Sequence, residues 1–216
     1  MKIACLHTLA SNIAVFEAAC PPGVKLSHVV RDDLLLEAER AGGVTHEIEA
    51  RAAAELHRLG RNADAVLLTC STIGSAVDLA ASDAPVPVLR ADASLAQASV
   101  AQGGEVVVLC AVETTVEPSR KLFLAAAERA HNGATIEVRV VPGAWAAFRR
   151  GDISQYHKIV AGFADELYRD GHQTIALAQA SMAGAAALCQ AGKPLTSPDI
   201  GLVAAARQAS AAMVRS

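Results

Sequence analysis

Short apolar runs alternate along the chain with longer segments in which apolar positions recur at helical spacing. Ile3–Leu6, Leu26–Val30, Ala65–Leu68, Val86–Leu89, Val106–Leu109, Ile136–Val141 and Ile175–Ala178 read as buried strands. Between them, residues 12–19, 45–59, 73–81, 115–130, 153–170, 182–190 and 198–213 read as helices. Several carry start signals: Ser11 before the first, Thr45 followed by Glu47 and Glu49, and Ser197 before Pro198. Strands alternating with helices are the pattern of βαβ units, which predicts an α/β fold with mainly parallel sheets.

An internal echo refines this reading. AVLLTCSTIG, from Ala65 to Gly74, and TIALAQASMA, from Thr174 to Ala183, share a buried strand, a small-residue turn and a helix start, with Gln179 at the place of Cys70. IACLHTLAS from Ile3 and VVVLCAVETT from Val106 form a weaker second pair. Two doubly wound, pseudo-symmetric lobes follow, residues 1–92 with 196–216 and residues 93–195. In such lobes ligands bind beyond the carboxyl ends of the strands. The expected active site is therefore a cleft between the lobes, with Cys70 on one wall and Gln179 on the other.

Composition agrees with this class and narrows the partners. The chain has 216 residues, 52% of them hydrophobic but only 3% aromatic, so its cores must be built from Ala, Val, Leu and Ile. With 19 basic and 22 acidic residues the formal net charge is -3, and no basic stripe is available to follow a nucleic acid. No run approaches the roughly 18 to 20 apolar residues of a membrane span, and the N-terminus lacks a secretory pattern, so a cytoplasmic protein is expected. The five cysteines, Cys5, Cys20, Cys70, Cys110 and Cys189, form no CxxC pair and are expected to be reduced and mostly packed. The glycine pairs Gly42-Gly43 and Gly103-Gly104 match no phosphate-binding motif.

Taken together, HTLAS (7–11), LTCSTIG (68–74), AVETTVEP (111–118), LAQASM (177–182) and PLTSP (194–198) resemble the aspartate/glutamate racemase superfamily over nearly the whole chain. That superfamily also contains hydantoin racemases, maleate isomerases and arylmalonate decarboxylases. The resemblance implies a homodimer that needs neither metal nor organic cofactor and acts on a small carboxylate. It further implies two facing cysteines that carry protons to and from the acidic carbon. Cys70 matches the first of these, and a helix start near Ile73 would favour its thiolate. His7, Ser11, Ser71, Thr72, Thr114, Thr115, Gln179, Ala180 and Ser181 fall at the substrate-holding positions.

The departure lies at Gln179, where the second cysteine is expected, because an amide is no general acid or base near neutral pH. Cys110, His7 and Glu113 are the candidates for a replacement proton carrier, with packing, structural and helix-start roles as their plainer alternatives. Three functions follow: isomerisation at the carbon α to a carboxylate or carbonyl, one-cysteine decarboxylation, and carboxylate binding without catalysis. Trp145 and Phe148, at helical i, i+3 spacing, are read as core.

Overall fold

The computed structural model describes residues 1–215. They divide into two compact units, Met1–Asp92 with the segment from Pro198 onward, and Ala93–Ser197. The first contains β1 (Lys2–His7), α1 (Asn12–Ala18), β2 (Lys25–Val30), α2 (Asp32–Arg40), α3 (His46–Gly60), β3 (Ala65–Leu68), α4 (Ala76–Ala81) and β4 (Val88–Arg90). The chain then continues through α5 (Ala91–Val100), β5 (Glu105–Cys110), α6 (Val116–Ala130), β6 (Thr135–Val140), α7 (Ala144–Arg149), α8 (Ile153–Arg169), β7 (Thr174–Leu177), β8 (Leu195–Thr196) and α9 (Ser197–Arg215).

Each unit holds one four-stranded, all-parallel sheet, in the orders β2-β1-β3-β4 and β6-β5-β7-β8. The two orders are the same pattern used twice. Both sheets are covered on both faces, which is why central strands such as VVVLC are apolar throughout instead of alternating. In the first unit Ala4, Leu6, Val66 and Leu68 face the apolar sides of α2, α3 and α4. The neighbouring positions point the other way, where Gly201 of α9 brings its Cα close to Leu67 and Ala91. In the second unit Val107, Leu109, Ile175 and Leu177 pack on α7 and α8.

Local chemistry explains the element boundaries. Thr45 caps α3 by accepting from the Ile48 N–H at 3.3 Å, and Asp152 caps α8 by accepting from Gln155 at 3.0 Å. Gly103 enters β5 with φ +70°, and a Cβ there would meet the Asn132 carbonyl oxygen at 2.8 Å.

Several expected boundaries are corrected. Regular helix after Cys70 starts at Ala76 and not near Ile73, because the residues between close successive turns of their own, such as Gly74 N–H to Ser71 O at 3.2 Å. The helix expected at 182–190 is instead a 3-10 helix over Ala180–Ala187, with Met182 and Ala185 packed into the second core. Helices α2, α5 and α7 and the two-residue β8 were not foreseen. Helix α2 opens on two acids just after a strand, and the Ala/Ser-rich α5 carries no apolar stripe for pattern counting to find. No described helix is long and apolar enough to cross a membrane.

Candidate active site

In the first unit the motif residues gather at the carboxyl edge of the sheet. β3 ends at Leu68, and Thr69 remains in register, its N–H donating to the Leu6 carbonyl at 3.0 Å. Cys70 follows, half-buried, its side chain resting on the core below while the turn leaves it partly open. Ser71 and Thr72 are exposed beside it, and Ser11 is exposed at the start of α1 without capping that helix through its side chain. With a six-residue α4 beginning only at Ala76, a helix terminus supplies little to the Cys70 sulfur.

A cation also stands at this edge of the sheet. Arg90 ends β4, two strands' ends meeting where β3 and β4 pair with Leu68 opposite Arg90. Its guanidinium forks onto Asp92 at 3.0 and 2.7 Å and lies against the Cα of Gly74. Burial alone would lower the Arg90 pKa, but the hydrogen bond and charge of Asp92, then the charges of Asp78 and Cys70, hold it above its usual value. Arg90 thus places a fixed positive charge at the same sheet edge as Cys70, where it can attract an anionic substrate group. Neither Arg90 nor Asp92 was singled out from the sequence, although an RAD triplet closing a strand at the ligand edge was the available sign.

Gly74 belongs to this arrangement because any Cβ at that position would overlap the Arg90 guanidinium. Gly74→Ala is therefore expected to displace Arg90, to destabilise the protein by about 1–3 kcal/mol as an overpacking change, and to slow alkylation of Cys70 by iodoacetamide. Thermal melts and mass-spectrometric labelling rates check both parts.

His7 lies deeper than a substrate contact requires. It is fully buried at the end of β1, with Nδ1 2.8 Å from the Thr69 hydroxyl and Nε2 2.9 Å from His28 Nδ1. Burial, followed by the neighbouring His28, lowers its pKa from 6.5 to about 4, so at neutral pH it is an uncharged imidazole. Among the described residues, Cys5, His7 and His28 are the one group of three whose donor atoms lie within 4.8 Å of one another.

In the second unit Gln179 ties two loops together. Its Oε1 accepts from the Ala111 N–H at 2.8 Å, and its Nε2 donates to the Thr115 hydroxyl at 2.6 Å. The Thr115 hydroxyl in turn donates to the Val112 carbonyl at 2.7 Å. The amide thus joins the turn after β5 to the turn after β7. Cys110 is fully buried, its sulfur within 3.6 Å of the Ser119 hydroxyl, and so presents no surface to a substrate in this structure. Thr114 and Glu113 are exposed, Ala180 is half-buried, and Ser181 shares a 3.0 Å hydrogen bond with the buried Tyr156 hydroxyl. Burial raises that phenol to about 12 despite the Ser181 hydrogen bond, so it remains protonated and can donate. Phe148 packs on the second core as expected, whereas Trp145 is 40% exposed while stacking on it. A cavity of about 260 Å³ in this unit opens at the opposite, amino end of β7, near Lys193 and Thr174, away from all of these groups.

Comparison with known proteins agrees with this architecture. The sequence matches the Asp/Glu/Hydantoin racemase family over residues 16–208. No curated protein matches it significantly. Among solved structures, allantoin racemase from Pseudomonas fluorescens superposes with a TM-score of 0.65 at 17% identity, covering 100% of this chain and 91% of that one. An aspartate racemase homologue from Pyrococcus horikoshii OT3 gives 0.67 at 14% identity, with 97% and 99% covered. A liganded arylmalonate decarboxylase mutant, in which one glycine is changed to cysteine and one cysteine to serine, gives 0.61 at 16% identity, with 96% and 92% covered.

Proposed function

Since the chain belongs to the Asp/Glu/hydantoin racemase family, we propose that it is a racemase-type enzyme acting at the carbon α to a carboxylate or carbonyl, with Cys70 as the thiol that moves the proton. The observation that carries this reading is a partly open thiol at the carboxyl edge of a parallel sheet, close enough to a half-buried guanidinium for their charges to interact. In the proposed reaction the Cys70 thiolate removes the α-proton, or the thiol delivers one to a carbanion. The hydroxyls of Ser71 and Thr72 and the N–H groups of their turn are proposed to hold the substrate carboxylate. A small amino acid or hydantoin-like acid is the proposed substrate class, and a homodimer, checked by light scattering, the proposed assembly.

Decarboxylation is retained as a second reading because Gln179 offers no titrating proton and spends its amide on Ala111 and Thr115. A one-thiol enzyme can protonate a carbanion from a single side. Incubation with amino acids, hydantoins and substituted malonates in D2O separates the readings. Deuterium at the α-carbon with loss of optical activity supports the racemase, and release of CO2 with one-sided deuteration supports the lyase. Binding without exchange or CO2 release across the panel would leave a carboxylate-binding protein and remove both.

A further inference from the structure

A continuous hydrogen-bonded chain runs through the first unit to Thr69, the residue before Cys70. It starts at Glu17, exposed on α1, whose carboxylate is 2.8 Å from His28 Nε2. The β1–β2 register sets Cys5 opposite His28, which puts the His28 side chain on the face of the sheet that also carries His7. His28 Nδ1 meets His7 Nε2 at 2.9 Å, the two rings lying within 26° of coplanar. His7 Nδ1 then meets the Thr69 hydroxyl at 2.8 Å, and Thr69 is the half-buried residue immediately before Cys70. The fully buried His7 thus joins the half-buried His28 and Thr69, and the chain ends at the exposed Glu17. Phe16 closes one side of His7, edge to face at 5.5 Å, and the Cys5 thiol, pushed up to about 12 chiefly by burial, cannot compete as a base.

From this connectivity we infer that Glu17, His28, His7 and Thr69 form a proton relay between solvent and the loop that carries Cys70, which makes them positioning residues for the proposed proton transfer. The inference rests on that reading of Cys70. At neutral pH the ionised Glu17 accepts from His28 Nε2–H, which leaves His28 Nδ1 to accept from His7 Nε2–H. His7 Nδ1 in turn accepts the Thr69 hydroxyl proton. Every donor therefore points toward Glu17.

A proton arriving at Thr69 Oγ1 from the site displaces the hydroxyl proton onto His7 Nδ1. His7 passes its Nε2 proton to His28 Nδ1, and His28 passes its own Nε2 proton to the Glu17 carboxylate, which loses it to water. One proton enters, one leaves, and no charge remains inside. The reverse sequence delivers a proton to the site. Thr69 can serve both polarities because its hydroxyl has a second acceptor, the Leu6 carbonyl at 3.1 Å. The same groups do not make a metal site as they stand. Two nitrogens bound to one tetrahedral metal stand about 3.3 Å apart, and here they face each other at hydrogen-bond distance.

Two measurements on the intact protein test the relay. Nitrogen-15 NMR of the histidine side chains at pH 7 is expected to show both His7 and His28 as Nε2–H tautomers, and this needs no substrate. Finding His7 protonated on Nδ1 and His28 on Nε2 would leave both inner nitrogens bare, and the chain would be broken. With a substrate that exchanges its α-proton, His28→Ala and Glu17→Gln are expected to lose tenfold or more in exchange rate in dilute buffer, less than the roughly 10²- to 10⁴-fold contributed by a group that itself exchanges the substrate proton. Added imidazole is expected to restore the rate of His28→Ala while the alkylation rate of Cys70 stays unchanged. A rate loss that imidazole does not repair, or no loss at all, overturns the relay. Full activity in Cys70→Ser would instead overturn the proposed function, a result separate from the tautomers.

Discussion

Cys70→Ser is expected to abolish turnover while the protein stays folded. A serine hydroxyl does not ionise near neutral pH, so the variant loses the proton carrier and with it about 10²- to 10⁴-fold of rate, the contribution of a positioned acid or base. The change is nearly conservative in volume, and Cys70 is only half-buried against the core. The melting temperature should therefore move by a few degrees at most, consistent with about 1 kcal/mol or less. Circular dichroism melts and the exchange assay in D2O report the two quantities separately. Retained turnover would reduce Cys70 to a packing residue and return attention to Cys110. That second thiol would have to leave a fully buried position to act.

The second large effect is on stability in mild acid. The folded protein lowers the His7 pKa from 6.5 to about 4, first through burial and then through His28. Between these values the unfolded chain binds a proton at this position and the folded one does not, so stability falls as pH drops from about 6.5 toward 4 and is fully present above 6.5. The whole window corresponds to about 3 kcal/mol, which for a chain of this size is a fall in melting temperature of about 6–12 °C. His7→Gln keeps a hydrogen-bonding side chain but has nothing to titrate. It is expected to flatten this part of the pH profile relative to the parent, whatever its stability at pH 7. Identical slopes in the two proteins would mean that His7 is protonated in the fold and that its surroundings are wetter than its burial indicates.

These two residues show how differently the site was written in the sequence. Cys70 was legible because its features are local: an apolar strand and a small-residue turn lie within a few residues of it, and the same short pattern recurs around Gln179. His7 was legible as a polar end to β1 but not as a buried link, because its partners His28 and Thr69 sit on other strands. Arg90 was missed for a related reason. A single arginine after a strand reads as an ordinary charge until β3–β4 pairing brings it level with Leu68 and the Gly74 turn leaves room for its guanidinium.

The alternation of most strands and helices, the doubled unit and the turns that end β1, β3, β5 and β7 can all be read along the chain. Those properties follow from apolar periodicity and turn chemistry, which act over a few neighbouring residues. What surrounds those turns depends on packing between distant segments. Parallel pairing sets residues far apart in the chain side by side in fixed register, placing Cys5 against His28 and Leu68 against Arg90. Burial then turns His7 into a neutral imidazole and directs Gln179 to Ala111 and Thr115. Desolvation and hydrogen-bond satisfaction are properties of the packed chain, and no periodicity in the sequence encodes them.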